Sequence, residues 1–403
     1  MVRKSSMGEE EHIGRRIAHW RKVRGLTQTG LAEKANVSRS LIAQVESGHK
    51  PATASLNAAV ARALNLDITE LTGQPYRGNT ERTDRIHASI PQIRQALVYW
   101  DVPPDLECPP RRLDVLRGDV GKATELRQSA HYVELGAMLP ALIKELTYVV
   151  HAATGRERVE AFRLLASVYS AADSMAYKLG YLDLFHLAVE RVAWAASHAE
   201  DPLLGPVTDT RRSMAFLATG AWDGGLKLLD RTSMHMEAGL RDNSAMLSVY
   251  GTVHLRAAIM AARGSRPSVA WDHIENARET AQRLGRDTND YALLFGPSNV
   301  AIHEVAVAVE LGDADEAIRR GEGLQLPATL SAERSSHHYI DLSRAWLWAG
   351  DRDKALSCLL TAESLAPQRT WYHPMARETV MQLDRAYRTL PQTLRSLEGR
   401  MGV

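Results

Sequence analysis

One stretch constrains this chain more than any other: Leu26 to Pro51, LTQTGLAEKANVSRSLIAQVESGHKP, whose spacing fits two short helices crossing at a tight turn. Thr27 carries an oxygen able to cap a first helix, and Leu31, Ala32 and Ala35 form one apolar stripe along it. Asn36 stands where the chain must turn, and after Gly it is the residue that adopts a left-handed backbone at least cost. Ser38 opens a second helix. Leu41, Ile42 and Val45 face back onto the first one, Arg39, Ser40, Ala43 and Gln44 form an outer face, and Gly48 ends it.

With RKVRGLT before this stretch and ARALNLDITELTG after it, the segment resembles the Cro/C1-type helix-turn-helix, the xenobiotic-response-element family. The match covers residues 12–72 and keeps Gln28, Leu31, Ala32, Val37, Ser38, Ile42, Gln44, Val45, Glu46, Gly48 and Pro51 in register. Two residues depart from the pattern: Asn36 replaces the usual turn Gly, and Gly30 stands where Glu commonly supports the cap, at a cost of up to about 1 kcal/mol relative to Ala. The resemblance implies an all-α chain opening on a five-helix, lambda-repressor-like domain whose second turn helix enters the DNA major groove. Ser38, Arg39, Ser40 and Gln44 are then expected at base edges, since the first turn of such a helix and the residue one turn later share a side. A plainer reading leaves Ser38 as a cap and Arg39 on phosphate. Gln28, Arg15, Lys22 and Lys50 are expected on the DNA backbone. In the family the arginine at the place of Arg21 pairs with the glutamate at the place of Glu46, so this pair is expected as a scaffold bridge, the alternative being two independent surface charges.

Charge supports the same end of the chain. Residues 12–62 hold nine Lys/Arg against Glu33 and Glu46, a balance of +7, so with an overall +1 the remainder is −6. Neutralising phosphate favours a concentrated basic face, which only the amino-terminal segment offers. Cys108 and Cys358 lie far apart with no metal-binding spacing, the start MVRKSSMGEEEH lacks an apolar signal core, and no apolar run approaches the roughly 20 residues of a membrane span, so a cytoplasmic protein without metal or cofactor is expected. Arginine outnumbers lysine 40 to 9, which suits a GC-rich bacterial coding sequence.

In chain order, residues 1–11 are expected to be disordered, 12–72 to form the helix-turn-helix domain, 73–84 to link, and 85–403 to form a second, larger domain. In the first domain Ile13, Ile17, Trp20 and Val23 are expected to point one way from an opening helix, with Leu56, Val60 and Leu64 inward on a fourth and Asp67 capping a fifth. From Leu113 onward helix follows helix, with turns at Gly180, Gly220, Gly264, Gly312-Asp313 and Gly350-Asp351. Ala355, Ala362 and Pro367 repeat the small-small-proline spacing of a tetratricopeptide repeat. Ala317, Ala270 with Ala277, Gly225 and Ala188 mark earlier units, separated by 38, 47, 45 and 37 residues, so the region is expected to be an α-solenoid of divergent, tetratricopeptide-like helix pairs.

No phosphate-cradling loop, zinc-protease helix or nucleophile elbow is present, and His303, His337-His338 and His373 lack ligand partners at useful spacing, so catalysis is not expected. An array of this kind offers an inner surface made by the first helix of each pair. The repeat register places Arg256, Asn299, His337 and Arg344 near it, a polar mix suited to a peptide or a small polar ligand. Domain pairs of this composition resemble peptide-sensing regulators. The expectation is a dimeric, sequence-specific regulator binding double-stranded DNA at a palindromic operator, its repeats sensing an effector. The alternative is a DNA-bound protein whose repeats recruit a protein partner and sense no small ligand.

Overall fold

The computed structural model of the chain describes residues 12–77, 84–241 and 243–403. The expected disordered start and residues 78–83 of the expected linker lie outside the described residues. Twenty-one α-helices and one 3-10 turn, and no strand, are formed among the described residues.

Five helices form the first bundle: α1 (Ile13–Val23), α2 (Gln28–Ala35), α3 (Arg39–Glu46), α4 (Ala54–Leu64) and α5 (Ile68–Thr72). Local chemistry sets nearly every boundary. Side-chain oxygens of Thr27, Ser38, Thr53 and Asp67 accept from the backbone N–H groups of Gly30, Leu41, Leu56 and Thr69, satisfying donors that the first turn leaves open. Asn36 and Asn65 end α2 and α4 in the left-handed conformation, each at φ 54°. Ile13, Ile17, Leu31, Ile42, Val45, Leu56, Val60 and Leu64 close the core. Val23 departs from the expected stripe: it is 56% exposed. Close approach of α1 to α3 rests on Gly14, where a Cβ would lie 1.8 Å from the Val45 carbonyl oxygen.

After α6 (Ile90–Val98) the chain becomes a run of antiparallel pairs. These are α7 (Leu113–Gln128) with α8 (Tyr132–Ala152), α9 (Gly155–Leu179) with α10 (Leu182–Ser197), and α11 (Leu204–Thr219) with α12 (Trp222–Glu237). They continue as α13 (Ser244–Arg263) with α14 (Pro267–Leu284), α15 (Pro297–Leu311) with α16 (Ala314–Gly321), and α17 (Ala332–Trp348) with α18 (Arg352–Leu365). The short α19 (Pro367–Trp371) leads into a closing pair, α20 (Pro374–Ala386) and α21 (Gln392–Met401). All five expected glycine turns fall inside pairs, from Gly180 between α9 and α10 to Gly350 between α17 and α18. The marker residues are the close contacts. Ala188, Ala270, Ala317 and Ala355 are fully buried, and a Cβ at Gly225 would lie 2.9 Å from Phe216 Cβ on the paired helix, so a larger residue there would crowd the pair.

Two segments correct the expectation that nothing approaches span length. Ser244–Arg263 and Asp290–Leu311 are long and apolar enough by composition, but 78% and 67% of their apolar windows is buried against neighbouring helices of the array.

The first bundle sits against the array's inner side. Ser55 Oγ donates to the Arg263 carbonyl at 3.0 Å, Arg62 donates to the Gly220 carbonyl, and the Ile13 N–H donates to Glu378 Oε2 at 3.2 Å. Met375 of α20 packs on the bundle's apolar core.

The array buries histidines that must stay neutral in the fold. Burial pulls His254 and His338 down to about 4, and burial with the neighbouring Arg334 and Arg256 pulls His303 down to about 3. Each holds fewer protons folded than unfolded between those values and the ordinary 6.5, so its contribution is complete above pH 6.5 and lost as pH falls toward 4. Asp341, raised to about 6 by burial, works in the opposite sense but is outnumbered. Melting followed by circular dichroism is expected to show the midpoint dropping by several degrees between pH 7.5 and pH 5; a midpoint level across that interval would contradict this account.

Candidate nucleic-acid interface

The turn unit is held by a buried charge network. Arg21 of α1 donates from Nε to Glu46 Oε1 at 2.6 Å and from Nη2 to Oε2 at 2.8 Å, while its Nη1 donates to the Leu26 carbonyl at 2.8 Å. The two side chains are 11% and 7% exposed, so this planar two-point pair is desolvated and ties α1 to the end of α3. Gln28 joins it: its amide donates to Glu46 Oε2 at 2.9 Å. The residue expected on the DNA backbone is thus half-buried, with one amide hydrogen given to the scaffold and the second left to donate elsewhere. Spacing alone gave no sign of this third member.

On α3 the expected row is exposed: Ser38, Arg39, Ser40 and Gln44 all face solvent, with Ile42 and Val45 buried behind them. Ser38 Oγ accepts from the Leu41 N–H at 3.1 Å, so its oxygen is engaged as a cap while the hydroxyl hydrogen stays available. Arg15, Lys22 and Lys50 are exposed around this face, and Arg39, Lys22 and Lys50 pair with no carboxylate among the described residues. Not all nine cations are free to meet an anion. Arg21 is paired, Arg16 is buried against the Thr72 carbonyl, Arg24 donates to the Leu64 carbonyl at 2.9 Å, and Arg62 is turned to the array.

A second site lies where α4 and α5 meet the array. There a cavity of about 270 Å³ is walled by the first helices of five pairs, α9, α11, α13, α15 and α17, and roofed by Asn57, Ile68, Thr69 and Thr72. Arg256 and His337 line it. Asn299 and Arg344 are not brought there. Arg344 is buried in the wall behind, held by Asp341 at 3.1 Å and Glu310 at 3.4 Å, and Asn299 is buried in the first turn of α15 with its carbonyl accepting from His303 Nδ1. Arg127, Arg211 and Arg334, which also line the cavity, escaped the sequence reading because they come from helices spread over some 200 residues. The available signal was the recurrence of arginine on inward positions of first helices.

An exposed helix carrying Arg39, flanked by Arg15, Lys22 and Lys50 and packed on a second helix across a tight turn, has the form of a helix-turn-helix domain. Residues 12–72 match the helix-turn-helix domain family. Over 62 residues the chain is 44% identical to the immunity repressor protein of Bacillus phage phi105, covering 15% of this chain and 43% of that protein. Over 63 residues it is 36% identical to the uncharacterized HTH-type transcriptional regulator YazB of Bacillus subtilis (strain 168), covering 16% of this chain and 91% of that one. The chain belongs to the helix-turn-helix family through this segment. Less than half of the phage repressor's length is spanned. Among solved structures, Bacillus thuringiensis PlcR, in complex with the peptide PapR7 and DNA, aligns over 86% of this chain and 99% of that one at 16% identity with a TM-score of 0.31, too loose a superposition to carry detail across.

Glu46→Ala would leave the buried Arg21 and the half-buried Gln28 beside an empty place. The expected loss of local stability is about 3–5 kcal/mol, the range for orphaning one member of a buried pair. It should register as faster hydrogen exchange of the α1–α3 amides; unchanged exchange would show that the network contributes nothing.

Proposed function

We propose that this chain is a sequence-specific DNA-binding transcription regulator that acts as a dimer, with residues 12–72 as the DNA-binding domain, 73–84 as a linker and 85–403 as a sensing and dimerising array. The observation that carries this reading is the division of one small domain between two faces. The outer row of α3 is open to solvent, while α4 and α5 of the same bundle roof a polar cavity in the array.

In the proposed complex Gln44 holds adenine through two hydrogen bonds, or Arg39 holds guanine, with Ser38 and Ser40 beside them at base edges. Arg15, Lys22 and Lys50 neutralise flanking phosphates, and the amino terminus of α2 points at one of them. Gln28 fixes Glu46 with one amide hydrogen and offers the other to a phosphate. One bundle reads few base pairs, so two copies related by symmetry would read half-sites about 34 Å apart, or a multiple of that spacing. A cavity lined by charge favours effector sensing over a sealed array that only recruits a protein, because burying unneeded charge costs stability. An effector seated there would touch both the array and the underside of the DNA-binding bundle.

Gln44→Ala is expected to cost about 1–3 kcal/mol on the preferred site and to relax one base position, measured by selecting binding sites from random DNA and titrating the winners. Unchanged preference would remove Gln44 from base contact. Footprinting should protect two half-sites in phase, and sedimentation should give a dimer; a monomer that holds a lone half-site just as tightly would contradict the dimeric reading.

A further inference from the structure

The cavity wall carries more positive than negative charge. Six arginines and one lysine face four carboxylates, a surplus of 7 minus 4, or three. Three cations are matched: Arg211 to Asp173 at 2.8 Å, Lys178 to Glu333 at 2.8 Å, and Arg263 to Glu310 at 3.1 Å. Arg369 lies 3.9 Å from Glu333 and donates to His337 Nδ1. Asp341 is taken from behind by Arg344.

That leaves Arg127, Arg256 and Arg334 with no carboxylate within ion-pair distance among the described residues. Arg127 is buried and donates to the Ala292 carbonyl at 3.0 Å. Among the described residues Arg256 donates to the Met214 sulfur, at 3.4 Å. The Nε groups of Arg334 and of Arg211 are buried without a hydrogen-bond partner. These guanidiniums feel one another. Burial, then Arg334 and Arg211, pulls Arg256 down to about 10; burial, then Arg211, does the same for Arg127. A fold gains nothing by gathering unpaired like charges out of water, so the cluster is a cost that a bound anion would offset. Between these charges the wall carries an apolar patch of Tyr177, Phe185, Met214, Leu217, Ile259 and Met375, with hydroxyl, amide and imidazole groups completing it. At about 270 Å³ the space falls just under the usual range of small-molecule pockets, roughly 300–1,000 Å³, and is too small for an extended peptide.

We infer that this cavity is the binding site of a compact organic dianion with an apolar body, its charged groups held by Arg127, Arg256 and Arg334 and its apolar part against Tyr177 and Phe185, beneath the roof formed by α4 and α5. This rests on the effector-sensing reading above and names the ligand class. A dicarboxylate and a phosphate monoester share that chemistry.

The test is calorimetric titration of the full chain in low-chloride buffer with phthalate, phenyl phosphate, benzoate and benzylamine. One or both dianions should bind at least tenfold more tightly than benzoate, benzylamine should not bind, and the better dianion identifies the charged group. Arg256→Gln and Arg334→Gln should each weaken that binding at least tenfold, while Arg39→Gln on the DNA face should leave it unchanged. Without ligand neither variant should melt below the unsubstituted protein, because each removes a crowded charge. Dianions binding no better than benzoate, binding that ignores both variants, or failure of both variants to fold would each overturn the assignment. DNA affinity measured with and without the dianion separates the two claims. Tight binding with DNA affinity unchanged would keep the site and remove the sensing role, whereas no dianion binding removes this ligand class and leaves sensing of another to stand.

Discussion

A helical hairpin buries one face against itself and must find a neighbour for the other, and everything beyond residue 112 follows from that requirement. The small residues at Ala188, Gly225, Ala270, Ala317 and Ala355 let the second helix of each pair press close to the first. Successive pairs then stack with their first helices on one side. Because those helices carry the inward residues, the same packing rule that makes the core also chooses which side chains line the cavity. Ser244–Arg263, apolar enough in composition to suggest a different environment, is simply the first helix of a central pair, covered on most sides.

Charge is handled differently in the two parts of the chain. In the amino-terminal bundle, a single desolvated network of Arg21, Glu46 and Gln28 fixes the angle between α1, α2 and α3, and the remaining cations are either turned outward or given backbone carbonyls. Removing water from a two-point guanidinium–carboxylate pair is tolerable because both partners are satisfied. In the array, the inner wall alternates acids and bases but does not balance them, and its histidines are kept neutral by burial. The first arrangement gives rigidity to a surface that presents α3. The second holds electrostatic free energy in a cavity whose roof belongs to that same bundle.

Local signals in the sequence made most of the fold legible. Each cap at Thr27, Ser38 and Asp67 and the left-handed turn at Asn36 depends on residues within three or four positions, and five glycines marked the turns of five pairs. The exposed row of α3 was legible for the same reason, since helical periodicity separates Arg39, Ser40 and Gln44 from Ile42 and Val45. What escaped were contacts between distant segments. Val23 fits the apolar stripe of α1 yet faces solvent, Arg16 fits the basic face yet is buried, and Gln28 looked free yet serves Glu46.

By itself the sequence determined that the chain is helical, where its helices turn, which end is basic, and which row of α3 is open, because these depend on spacing of a few residues and on composition. Only the tertiary structure decided that Gly14 is required by the Val45 carbonyl, that Asn299 and Arg344 lie behind the cavity wall, and that Arg127, Arg211, Arg256 and Arg334 meet around one space. The physical reason is range: caps and periodicity act along the chain, whereas the surplus charge of the cavity exists only once helices from α7 to α19 have been stacked around it.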